Sequence, residues 1–177
     1  NQICDVFFSM SHGVNRGKLK RDKEDERHNF ITELISQCPN IIFDIYGYKN
    51  REPVWAEDFY KVIVNSKMAL NLTRGKPLKY LTSNRIASLI GNGLLTFIDK
   101  RTKLDNFFNK NEVIFYSNLD DLADKINRYK ADDKLRMKIA KNGRKKYFNL
   151  FECQKISDYI ISKSFNRDAP KKLKWMD

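Results

Sequence analysis

Five short apolar runs, each set off from the next by a single connecting stretch, restrict this chain more than any other feature. They are CDVFFS (4–9), IIFDIY (41–46), MALNL (68–72), LLTFI (94–98) and VIFY (113–116). Short apolar runs bounded by turn residues, rich in aromatic and β-branched side chains, read as buried strands. Between them, Phe30, Ile31, Leu34 and Ile35 mark one face of a helix over 25–37, ended by Pro39-Asn40. Phe59, Val62 and Ile63 do the same for 55–65, and Ile86, Leu89 and Ile90 for a helix closed by Gly91 and Gly93. Strands alternating with single helices predict an α/β fold with a doubly wound parallel sheet of about five strands. Three more helices are expected over 120–129, 133–148 and 152–165. Ligands of such sheets bind at the carboxyl ends of the strands, which points to the loops at 10–21, 47–53, 73–81 and 99–111.

Length and composition set the frame. A chain of 177 residues that is 41% hydrophobic forms one domain of ordinary size, expected over 1–165, with a basic and mobile tail over 166–177. No apolar run approaches the roughly 18 residues of a membrane helix, and no signal-peptide pattern opens the chain. Cys4, Cys38 and Cys153 are scattered and odd in number, which argues for reduced thiols in a cytoplasmic protein and against a disulfide or zinc framework. With two histidines, a histidine-rich metal site is not expected, and no cofactor is implied. The formal charge of +12 favours anionic partners: nucleotides, nucleic acid or an anionic membrane surface on the inner face. The basic residues fall in several separate places, the pattern of a solvated surface more than of a polynucleotide groove. The chain opens without Met, almost directly on a strand, as a piece of a longer protein would.

The segment YLTSNRIASLIGNGLLTFID (80–99) places Arg85 at the head of a short helix, where the helix dipole disfavours a cation. Arg85 is then either a surface arginine reaching into water or part of an anion site built from helix amides and a guanidinium. Thr82 or Ser83 caps that helix, Ser83 being the better placed. The loop after the first strand, MSHGVNRGK, carries Ser11, His12, Gly13, Arg16, Gly17 and Lys18. Its glycines let backbone amides approach an anion, but it matches neither the dinucleotide nor the P-loop fingerprint, and a plain basic loop is an equal reading. TRGKPLKYL (73–81) adds Arg74, Lys76 and Lys79 at the same edge. A diphosphate suits two basic loops converging with a helix N-terminus, whereas no carboxylate cluster suits a divalent ion.

The successive segments SKMALNLTRG, SNRIASLIGNGLLTFID, EVIFYSNLDDLADKI and RMKIAKNGRKKY resemble the C-terminal half of GT-B-fold glycosyltransferases, in particular the branch related to spore-maturation glycosyltransferases. The resemblance runs from CDVFFS to about Phe165. It implies a Rossmann-like GT-B C-terminal domain that holds a nucleotide-sugar donor, with a separate N-terminal domain holding the acceptor. Arg85 falls on the family's diphosphate-contacting arginine and Gly93 on the glycine before the next strand. Ser88 stands where many members carry a glutamate for sugar or ribose hydroxyls, and Tyr80 stands at the partner position, so the paired-glutamate motif is absent.

Ser83, Asn84 and Arg74, at the converging loop and helix N-terminus, are expected to bind the donor beside Arg85, and by the resemblance Gly47 and Tyr48 match a place where such enzymes contact the base. Tyr48 is expected either to stack there or to be an exposed turn tyrosine. Glu112 is read as reaching the ribose or as a solvated charge. His12 is read as a donor to the leaving phosphate or as polar surface. The implied chemistry is metal-independent glycosyl transfer, with Arg85 and helix amides neutralising the departing diphosphate. Two rivals stand beside it: a non-catalytic interaction domain of the same fold, and a nucleic-acid-binding domain. The second would need exposed aromatics beside its cations, whereas most aromatics here lie in strands.

Overall fold

The computed structural model describes residues 3–10 and 26–168. Five strands, β1 (Cys4–Ser9), β2 (Phe43–Tyr46), β3 (Ser66–Asn71), β4 (Leu95–Asp99) and β5 (Ile114–Tyr116), form one sheet in the order β2-β1-β3-β4-β5. Every pairing is parallel. Helices α1 (Glu26–Gln37), α2 (Ala56–Ile63), α3 (Asn84–Gly91) and α4 (Leu119–Ala131) connect or follow the strands, and α5 (Asp133–Leu150) and α6 (Cys153–Ser164) complete the order. Two short 3-10 turns, Lys100–Thr102 and Leu104–Asn106, lie between β4 and β5.

Alternation along the strands sends their side chains to two faces. On one face Val6, Phe8, Met68, Leu70, Leu95 and Phe97 pack with Ile31 and Leu34 of α1 and Leu122 and Ile126 of α4. On the other, Phe7 and Ala69 meet Ile63 of α2 and Leu89 of α3, and Ile98 meets Ile86 and Ile90. The sheet is thus doubly wound, and the helix after β1 and the helix after β3 leave adjacent strands toward opposite faces. That divergence opens a crevice at the carboxyl edge between β1 and β3.

The end of α3 follows its glycines. Gly91 is the last helical residue, Asn92 caps, and Gly93 takes φ +78°, with its N–H donating to the Ile90 carbonyl. Helix α5 does not lie on one face. Its Ile139 and Ala140 join the α1–α4 core, whereas Leu150 joins the α3 core. It crosses the amino edge of the sheet, where a Cβ on Gly143 would meet the Glu112 carbonyl oxygen at 2.1 Å and Arg144 Nε donates to the Gly91 carbonyl. Helix α6 has no buried residue. Among the described residues no helix is long and apolar enough to cross a membrane, and the cysteines are free thiols.

Candidate functional site

The crevice is a cavity of about 330 Å³ lined by Ser9 from the end of β1, by Asn84, Arg85 and Ser88 of α3, and by Val54, Trp55, Phe59 and Tyr60 at the start of α2. Ser83 is the N-cap residue by conformation, φ −132° and ψ 164°, but its side chain makes no capping bond. The first-turn amides of α3 therefore lack that partner, the arrangement that makes a helix N-terminus receptive to anions.

Arg85 is folded back under this edge. Its Nη1 donates to the Leu72 carbonyl at 2.9 Å, and its guanidinium lies 5.2 Å from the Phe8 ring centroid. Burial pushes its pKa down to about 10, and the charge of Arg27 on the first turn of α1 adds to the effect. Among the described residues no carboxylate forms an ion pair with it. A guanidinium carries five N–H donors, and for this half-buried one a single backbone carbonyl uses only part of that capacity.

Asn71 ends β3, 2% exposed, and neither its Oδ1 nor its Nδ2 finds a partner. Phe7 pairs with Ala69 in the β1–β3 register, so two residues further along the strands Ser9 and Asn71 stand side by side on the α2–α3 face. A buried amide with no partner is costly and needs an explanation, and its place beneath a cationic crevice supplies one. The Tyr116 hydroxyl, at the carboxyl end of β5, is likewise buried without a partner, and burial drives its pKa well up.

The residues expected from sequence divide into groups. Arg85, Asn84 and Ser88 line the crevice, and Ser83 begins the helix that carries them. Arg74 is exposed in the β3–α3 loop, where the next residue, Gly75, donates its N–H to the Glu26 carboxylate. That loop is tied to the β4 exit through Tyr80, whose N–H donates to the Thr102 carbonyl at 2.7 Å and whose hydroxyl accepts from Asn106. Ser11, His12, Gly13 and Arg16 lie outside the described residues, as does the tail from 169 onward.

Two expectations are corrected. Tyr48 is neither an open stacking platform nor an exposed turn residue: it is 8% exposed, its hydroxyl sits 2.7 Å from Thr32 Oγ1, and its ring packs on His28. The turn at Gly47 folds it back onto α1. Glu112 precedes β5 at the amino edge, opposite the crevice, where its carboxylate accepts from the Asn109 N–H. It has no path to a ligand at the carboxyl ends. Asp99, at the carboxyl end of β4, accepts from Arg101 through both carboxylate oxygens.

Sequence reasoning missed Trp55 and Tyr60, both more than half exposed beside Arg85. Both fall within the helical segment 55–65, and no local spacing tells an exposed aromatic at a crevice from one in a core. Ser9 and Asn71 were missed because both lie inside apolar strand runs.

Fold and crevice together define the Rossmann-like α/β domain of the GT-B fold, with its anion-receptive edge at the point where the strand order reverses. The chain belongs to the glycosyl transferase-like family, whose model matches residues 23–162. Among solved structures, it is similar to HepE of Anabaena, crystallised with UDP and glucose, with a TM-score of 0.66 at 13% identity. The match covers 91% of this chain and 47% of HepE, so the chain spans about half the length of that relative. At that identity the likeness is one of fold. No curated protein matches the sequence.

Proposed function

We propose that this chain is the donor-binding half of a glycosyltransferase and holds a nucleotide sugar by its diphosphate in the β1–β3 crevice. The observation that carries this reading is Arg85: a part-buried guanidinium without a carboxylate partner among the described residues, at the open N-terminus of α3. A diphosphate there accepts from the first-turn amides and from Arg85, and offsets the desolvation of the arginine. Ser83, Asn84 and Ser88 supply neutral donors around it, and Arg74 adds charge at the rim. The exposed face of Trp55 replaces Tyr48 as the surface for a base. In this reading departure of the nucleoside diphosphate is stabilised by protein donors, without a divalent ion. The acceptor lies on a domain outside these residues, so residues 1–177 alone bind the donor and transfer no sugar. The order of motifs supports a place near the spore-maturation branch.

Calorimetry with UDP in EDTA tests the site. Arg85→Ala is expected to bind about 10- to 100-fold more weakly than the parent chain, the value of a charge-assisted phosphate contact. Arg128→Ala, exposed on α4, is expected to bind as the parent does. Equal affinity of the two variants would remove Arg85 from the site.

A further inference from the structure

The amino edge of the domain carries a second cationic feature that the donor crevice does not explain. The outward face of α5 presents Lys134, Met137, Lys138, Lys141, Arg144, Lys145 and Phe148, all exposed. Their spacing of three and four residues places them in one stripe, about 20 Å long at 1.5 Å per residue. The two large apolar members are far from buried: Met137 is 58% and Phe148 49% exposed. The stripe contains five cations and no carboxylate. The acidic residue of this helix, Asp133, pairs instead with the buried Arg136. Beside the stripe, Arg136, Lys141 and Arg144 line a cavity of about 300 Å³ with Lys67, Asn92 and Gly93.

We infer that α5 docks this domain on an anionic bilayer surface, with headgroup phosphates at the basic cavity and Met137 and Phe148 set into the interface. An amphipathic helix face of cations interspersed with exposed apolar side chains fits a lipid surface, which offers negative charge and an apolar layer within a few ångströms of each other. A soluble polyanion offers only the first. The rest of the helix is committed to the fold, with Ile139, Ala140, Gly143 and Leu150 inward, and of the stripe Arg144 also bonds the Gly91 carbonyl. This inference does not rest on the donor reading.

Co-sedimentation of the 177-residue chain with vesicles tests it. Binding to phosphatidylglycerol–phosphatidylcholine vesicles is expected, with little to pure phosphatidylcholine, and a fall in binding at 0.5 M salt. Each cation near such a surface contributes about fivefold, so Lys138→Glu with Lys141→Glu is expected to weaken binding by about 25-fold or more. Met137→Ser with Phe148→Ser keeps every charge and is also expected to weaken it. An unchanged thermal midpoint identifies the variants as folded. Equal binding to neutral vesicles, or no loss in the charge-reversed pair, would overturn the inference. So would undiminished binding of the serine pair, which would mark the stripe as a polyanion surface for nucleic acid or free phosphate. UDP affinity is measured separately, so failure of vesicle binding and failure of the donor site are distinguishable.

Discussion

Gly47 lies so close to Met10 that a Cβ built on it would stand 1.8 Å from the Met10 carbonyl oxygen. The contact joins the exits of β2 and β1, where the Met10 N–H also donates to the Tyr46 carbonyl. Gly47 has φ +72°, so a side chain there is both strained and obstructed by backbone.

Gly47→Ala is therefore expected to lower stability by about 2–4 kcal/mol, the combined cost of overpacking and a left-handed backbone. Gly91→Ala is the matched comparison, because a Cβ there meets nothing within 4 Å and the residue is helical. It should be neutral or gain up to about 1 kcal/mol. Urea unfolding of both variants checks this; similar midpoints would show that the Met10 contact yields easily.

Arg85→Met separates a ligand-binding arginine from a structural one. Removing the charge relieves desolvation but leaves the Leu72 carbonyl without its donor, so the net change should stay within about 1 kcal/mol. For a domain of this size that is a midpoint shift of about 2–4 °C. The rise in midpoint produced by saturating UDP should vanish in the variant. A large loss of stability, with the UDP-induced rise retained, would make Arg85 a structural group.

Asp5 supplies a pH signature far from the crevice. It is buried at the amino end of β1, with Lys67 Nζ at 3.0 Å and Lys130 Nζ at 2.7 Å, and it accepts from the Ile42 N–H. Burial by itself would raise its pKa, but the bonds from Ile42, Lys130 and Lys67 outweigh it and hold the carboxyl below its usual 3.8. A depressed carboxylate stabilises the fold above its unfolded pKa, and the contribution is lost as pH falls through the folded value. Asp5→Asn should cost about 2 kcal/mol at pH 7 and flatten the decline of stability below about pH 4. Thermal unfolding between pH 2 and 7 measures both. Parallel curves for the two proteins would show that the carboxylate contributes nothing specific.

The mutual placement of the elements shows what a sequence can carry. The five apolar runs became the five strands within two residues at each end, because a strand buried on both faces must be continuously apolar. The α3 segment was legible in the same local way: capping position at Ser83, buried Ile86, Leu89 and Ile90, and a left-handed Gly93 at its close. Arg85 at its head followed directly from that.

Which side chains met across the sheet was decided elsewhere. Tyr48 and Glu112 sit in loops, where the sequence leaves direction open. The Gly47–Met10 contact turned Tyr48 into the α1 core, and the parallel strand direction placed Glu112 at the amino edge. Trp55, Tyr60 and Ser9 reached the crevice only because β1 and β3 are neighbours whose helices leave toward opposite faces. Local periodicity and capping by themselves determined the strands, the helices and the arginine at the head of α3, since each depends on residues a few positions apart. Strand order, the path of α5 across the amino edge and the aromatic wall of the crevice were decided only by tertiary structure. They depend on packing between segments distant in the chain, which no short pattern encodes.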